Sequence, residues 1–195
     1  MKRYLRLFLL VVLVAGCCHK QGITWTEQEK ELIMADSTCL RVLKVDDRKD
    51  SLVLREVSLN LTPQDISADV YKSLAAKLVN TVTSPEQDGV GIAGPQVGIL
   101  RRVVAVMRYD KEGYPFEVYP NIRITEKRGE KEIGPEGCLS LPDRRGLISR
   151  YQDITIQYTS PSTLQDTSET VQGFTAVIFQ HECDHLDGIL FTDLQ

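Results

Sequence analysis

Close to the end of the chain, residues 180–188 read Gln-His-Glu-Cys-Asp-His-Leu-Asp-Gly, and no other stretch restricts the possible folds as much. Residues 174–186 hold no glycine or proline and Gly188 follows, so they predict one helix with a glycine stop. On it Ile178, His181, Glu182 and His185 fall at i, i+3, i+4 and i+7 and share a face, whereas Cys183 and Asp184 point elsewhere. Two imidazoles one turn apart can chelate one ion with the glutamate beside it, the helical His-Glu-x-x-His pattern of zinc hydrolases. The alternative is a pair of buried structural histidines.

Such a pair needs a third ligand. Only ten residues follow His185, and their two carboxylates are badly placed: Asp187 lies on the wrong side of the helix and Asp193 beyond its terminating glycine. The third histidine, His19, precedes the expected domain. The missing ligand must therefore come from upstream. The soft-ligand candidate is Cys138 in Pro-Glu-Gly-Cys-Leu-Ser-Leu-Pro, residues 135–142, where the glycine and the second proline predict a constrained loop or short strand. Taken alone, a cysteine there is more often a small buried apolar residue than a ligand.

A length of 195 residues predicts one domain, and 42% hydrophobic with 26% charged residues fits a globular chain rather than a disordered or many-spanning one. The first residues differ. Lys2, Arg3 and Arg6 precede the apolar run 7–15, which is too short to cross a bilayer as a helix and reads as a secretory signal. Val14-Ala15-Gly16-Cys17 resembles the lipobox of bacterial lipoproteins, implying cleavage before Cys17 and a membrane contact through an N-terminal lipid anchor. The organisation expected is a signal over 1–17, a tether over 18–37 and a catalytic domain over 38–195. The protein is then an exported lipoprotein of a bacterial envelope, or cytoplasmic if the signal is unused. Loss of three basic residues with the leader takes the formal charge from −4 to −7, which disfavours a nucleic-acid partner. In an oxidising compartment Cys18, Cys39, Cys138 and Cys183 could pair.

Along the body of the chain, residues 21–34 read as a polar tether or short helix, and 38–61 as short extended segments around a charged turn at 46–50. Thr62-Pro63-Gln64-Asp65 starts a helix, and Ile66, Val70, Leu74 and Leu78 give it an apolar face to about residue 82. After the glycine-rich stretch 89–98, strands are expected at 102–109, at 116–119 with Ile122 and Ile124 beyond, and at 154–158, with a hairpin turn at 109–114. Strands followed by a late helix predict an α+β fold. It would have small antiparallel sheets around the central metal-binding helix, plus an N-terminal helix, and would not be a doubly wound parallel sheet.

Three segments in order, Gly-Val-Gly-Ile-Ala-Gly-Pro-Gln-Val-Gly at 89–98, Glu-Gly-Cys-Leu-Ser at 136–140 and the histidine motif, resemble the signatures of the peptide deformylase family, the likeness spanning 89–191. The resemblance implies that Cys138, His181 and His185 hold one ion, with water in the open fourth position. That ion would be Fe2+ by family habit, or Zn2+, which suits the ligand softness. It further implies that Glu182 takes the proton of the attacking water and passes it to the departing amine. The Gln96 side chain and the Leu139 backbone N–H would receive the oxyanion. Gly89, Val90 and Gly91 would pair with an N-formyl peptide as an added strand, and Ile92, Phe174, Val177 and Ile178 would enclose its first side chain. Arg150 is expected to pair with Asp184 and brace the helix. The activity implied is release of formate from N-formylmethionyl peptides by a monomer. Alternatives are an exported metallopeptidase, another N-acyl amide hydrolase, or a lipoprotein that binds metal or formyl-peptides without turnover. The thiolate ligand weighs against the peptidase, and Glu182 with Gln96 against mere binding.

Overall fold

The computed structural model describes residues 24–195. The expected signal, Cys17, Cys18 and His19 lie outside the described residues. Helix α1 (Glu27–Met34) opens with a capping box in which the Glu29 N–H donates to the Thr26 hydroxyl and the Glu29 carboxylate accepts from the Thr26 N–H. Just before it, buried Trp25 donates its indole N–H to the Asp65 carbonyl at 3.2 Å. Arg101, also buried, pairs with Glu29 at 2.7 Å and lies over the Trp25 ring. Of the two readings of this segment, tether or short helix, the helix is present and packs on the domain, which corrects the tether expected over 18–37 as far as residues 24–34 go: Trp25 and Ile33 bury apolar surface that a tether would leave in water.

Residues 46–50 start in the expected turn, where the Asp47 N–H donates to the Lys44 carbonyl at 3.2 Å, but continue into a helix rather than a second extended segment. Asp47 accepts from the N–H groups of Lys49 and Asp50 and so caps α2 (Arg48–Val53). The helix expected over 62–82 is two, α3 (Pro63–Ser67) and α4 (Asp69–Val82), separated by extended Ala68. Asp65 closes a capping box with Thr62 and also accepts from the Trp25 N–H, so the first turn is held by contacts outside the helix. The apolar face is otherwise as spaced: Ile66, Leu74 and Leu78 are buried, and Val70 packs half-buried against the same core.

Strand β1 (Gly91–Ala93) leads through a single 3-10 turn, Gly94–Val97, to β2 (Val103–Met107) and β3 (Phe116–Pro120). They form an antiparallel sheet in the order β1-β2-β3. The expected turn before β3 is present, with Gly113 and Tyr114 at positive φ. A second antiparallel sheet is a long hairpin, β4 (Arg123–Cys138) and β5 (Leu141–Thr159), with β6 (Asp166–Gln172) alongside. Of these only the stretch 154–158 and the beginning of β4 were expected. Much of β4 and most of β6 is exposed, so no buried face imposes the alternation that marks a strand in sequence.

Helix α5 (Phe174–Leu186) ends as expected, with Gly188 at φ 72°. Its Ala176, Phe179, Cys183 and Leu186 fill the space between the sheets, against Val104, Val106 and Tyr119 on one side and Ile154, Ile156 and Val171 on the other. The architecture is α+β with small antiparallel sheets, as the pattern predicted. Cys39, Cys138 and Cys183 are free thiols, so no pair forms among the described residues. Among those residues no helix is long and apolar enough to cross a membrane.

If residues 24–34 belong to the domain, Trp25→Ala should lower the unfolding free energy by about 3 kcal/mol in urea titrations. An unchanged midpoint would show the segment to be loosely attached.

Candidate active site

Helix α5 presents His181 and His185 one turn apart, their ring centroids 4.9 Å from each other. Opposite them, Cys138 is the last residue of β4, at the tight turn into β5 where it pairs with Leu141. Its Sγ lies 3.1 Å from His185 Nε2, and one donor atom from each of Cys138, His181 and His185 falls within 4.8 Å of the others. The third ligand sought upstream is therefore brought to the histidine pair by the fold. His181 spends its Nδ1 on the Glu136 carboxylate at 2.9 Å, leaving Nε2 to face an ion. One soft sulfur and two imidazole nitrogens converging in this way fit a divalent transition metal and leave a coordination position open.

Burial works to raise the Cys138 thiol, but the nearby His185 and hydrogen bonds from both histidines outweigh it and hold the thiol well below its ordinary range. It is poised as thiolate, the form that binds metal. Glu136 shows the same contest. Burial pushes its carboxyl up, while hydrogen bonds from His181 and Arg150 and the Arg150 charge bring it down to about 2. Arg150 grips both Glu136 oxygens, at 2.7 and 3.1 Å, and reaches Asp184 on α5 with its remaining nitrogen. The expected Arg150–Asp184 pair is thus present. Glu136 is the residue that sequence reasoning missed, although it sits two positions before Cys138 and so shares its face of β4.

Glu182 is the other carboxyl of the site, and burial pushes it up to about 7 despite the neighbouring His181 and His185. Its Oε2 is buried with no hydrogen-bond partner among the described residues. Gln96 is buried in the 3-10 turn, where its Oε1 accepts from the Ala93 N–H at 2.8 Å. That bond turns its amide nitrogen toward Cys138 Sγ, 3.4 Å away, and the Ser140 hydroxyl at 3.3 Å. Leu139 follows Cys138 in the turn, and Gln96 and Leu139 line the same cavity.

These groups open on a cavity of about 310 Å³. Gly89, Val90 and Gly91 line one side, and Phe174, Val177 and Ile178 the other, with Gln96, Leu139, Cys138, His181 and Glu182 at the head. Among the described residues β1 pairs only with β2, and its other edge has no strand partner. Gly91 is required by proximity: a Cβ there would lie 2.5 Å from Glu182 Oε1 and 2.8 Å from Ile178. Ile92 is a correction. It is fully buried in the core with Leu74, Leu78 and Val82 and does not line the cavity. Side chains alternate along a strand, so with Gly91 turned toward α5, Ile92 turns toward α4.

A carboxyl able to exchange a proton near neutral pH, next to an open ligand position in a cleft with a bare strand edge, meets the needs of amide hydrolysis. Fold and site together define a metal-dependent hydrolase for extended peptide substrates. A family profile described as "Polypeptide deformylase" matches residues 39–194, and the chain belongs to that family. A curated relative, the peptide deformylase of Finegoldia magna, is 40% identical over 143 residues, covering 72% of this chain and 82% of its own. Two crystal structures of the class I type b peptide deformylase of Acinetobacter baumannii, one bound to Met-Ala-Ser and one to actinonin, each match at 33% identity with a TM-score of 0.71. Each match covers 82% of this chain and 99% of theirs.

Because Glu136 fixes the tautomer and direction of His181, Glu136→Gln should weaken metal affinity about tenfold in competition with a chelator. Wild-type affinity in that variant would remove the residue from the metal's support.

Proposed function

We propose that the protein removes the formyl group from N-formylmethionyl peptides, releasing formate, with one ferrous ion held by Cys138, His181 and His185. The observation that carries this reading is the buried Glu182 carboxyl, one oxygen of which has no hydrogen-bond partner among the described residues, set beside those three residues in a cleft lined by β1. When bound, the ion supplies Lewis acidity, lowering the pKa of water and polarising the formyl oxygen. Glu182 accepts the proton released by the attacking water and returns it to the amine as the C–N bond breaks, a task suited to a carboxyl near 7. The Gln96 amide and the Leu139 N–H donate to the oxygen as it gains negative charge. Val90 and its glycine neighbours offer backbone groups to the peptide, which lets many sequences bind by the same bonds. Phe174, Val177 and Ile178 supply apolar surface for the first side chain. Support for peptide occupancy comes from the Acinetobacter baumannii relative, which has been crystallised with Met-Ala-Ser.

Zinc is the second reading for the ion, favoured by the thiolate and imidazole donors and by its inertness to oxidation. It gains weight if the protein is exported. The basic-then-apolar leader and Val14-Ala15-Gly16-Cys17 support an exported, lipid-anchored monomer acting on formyl-peptides at the membrane. The negative formal charge argues against nucleic acid as partner. Metabolic labelling with palmitate should tag the wild type and not Cys17→Ala. Full-length, unlabelled protein confined to the cytosol would overturn export.

Loaded with ferrous iron under nitrogen, the protein should release formate from formyl-Met-Ala-Ser. Glu182→Gln should reduce the rate by about 10³-fold while still binding one metal per chain, and chelation should abolish it. No formate with either iron or zinc, despite stoichiometric metal, would refute the reaction.

A further inference from the structure

The two oxyanion donors sit on separate elements, Gln96 in the 3-10 turn after β1 and Leu139 in the turn between β4 and β5. One short segment, residues 43–45, joins them. The Leu43 N–H donates to the Gln96 carbonyl at 2.8 Å, and the Val45 N–H donates to the Ser140 carbonyl at 3.0 Å. Between these bonds the Lys44 ammonium donates to the Leu139 carbonyl. The segment is itself anchored. Buried Asp50 on α2 accepts from the Lys44 N–H at 3.0 Å and takes both ends of the Arg41 guanidinium at 2.7 Å.

We propose that Lys44 is a positioning residue for the deformylation reaction: through the Leu139 carbonyl it holds the Cys138-Leu139-Ser140 turn in register with Gln96. The inference rests on the proposed activity for its catalytic consequence, though not for its structural one.

The physical case is one of rigidity. A turn of two residues between long strands leaves the Leu139 peptide free to rock unless both its neighbours and its own carbonyl are fixed. Val45 fixes Ser140 and the β4–β5 pairing fixes Cys138, which leaves the Leu139 carbonyl as the remaining handle. A charged donor on that carbonyl makes a stronger bond than a neutral one. Lys44 is only half-buried, so its ammonium is not a core group whose loss collapses the domain. Oxyanion donors act through fixed placement, and a misplacement of about 1 Å can cost roughly 10²-fold in rate. A turn loosened without being displaced outright should cost less.

Two substitutions separate positioning from bulk stability. Lys44→Met keeps the aliphatic stem and loses the charge, and Lys44→Arg restores a cationic donor. With the iron-loaded full-length protein and formyl-Met-Ala-Ser, Lys44→Met should lower kcat about tenfold and leave KM within twofold. Metal content and melting temperature should match wild type, and Lys44→Arg should recover most of the rate. In parallel, amide hydrogen exchange should quicken about tenfold at residues 139–141 in Lys44→Met and stay unchanged along α5. Wild-type kcat in Lys44→Met, a loss that follows metal content, or a rise in KM at constant kcat would overturn the catalytic role. Unchanged exchange at 139–141 would overturn the positioning itself. If wild type released no formate, the proposed activity would fall, and the exchange data alone would decide whether Lys44 orders the turn.

Discussion

The Glu136 carboxylate, shared between Arg150 and His181, is the bond on which the site depends. Taking a carboxylate and a guanidinium out of water costs several kcal/mol per ion unless each is met by close partners. Here Glu136 receives two bonds from Arg150 and one from His181, and Arg150 continues to Asp184. The chain of charges crosses from β4 to β5 and onto α5, so it ties the hairpin to the helix at the point where their ligands must meet. Strand alternation places Glu136 and Cys138 on one face of β4, and one strand end therefore delivers both a thiol of the candidate metal triad and the carboxylate that aims its His181 imidazole. Removing a single member would leave the others buried without compensation, a larger loss than the net worth of the pair.

Two glutamates of the same site are driven in opposite directions by what surrounds them. Burial disfavours the charged form of both, but Glu136 has hydrogen-bond donors on each oxygen and stays ionised, whereas Glu182 has an unpartnered oxygen and is raised to about 7. The first is thereby a fixed negative charge that orients an imidazole, and the second a carboxyl able to exchange a proton near neutral pH. Such separation of two carboxyls by environment is how one site can hold a permanent anion and an acid-base group together. The close approach that gives Glu182 its dry position is made possible by Gly91, where any side chain would collide with it.

Part of the site was legible because the histidines carry their own signal, one turn apart on a strongly helical stretch. Cys138, between glycine and proline, stood out only as the candidate for the missing ligand, and Gln96 and Leu139 were reached through the family resemblance alone. Where reading failed, the deciding contact came from a distant part of the chain. Residues 24–34 read as a tether or short helix with no docking site, because the partners of Trp25 and Glu29, Asp65 and Arg101, are 40 and more residues away. Ile92 was assigned to the substrate pocket from its place in the motif, but the direction of a side chain on a three-residue strand depends on which helix packs on which side. Glu136 was part of the recognised Glu-Gly-Cys-Leu-Ser segment and still received no role, since nothing local shows that Arg150 and His181 converge on it.

By itself the sequence determined the metal-binding chemistry, the α5 helix with its buried and reactive faces, and the α+β class. Each follows from short-range periodicity or from donor types that few other arrangements explain. Tertiary structure alone decided the long solvent-exposed hairpin, the break at Ala68, the inward packing of Trp25 and Ile33, and the strap from residues 43–45 to the two turns that carry Gln96 and Leu139. Those features arise from hydrogen bonds and burial between segments far apart in the chain, and such pairings leave no period in either segment to be read beforehand.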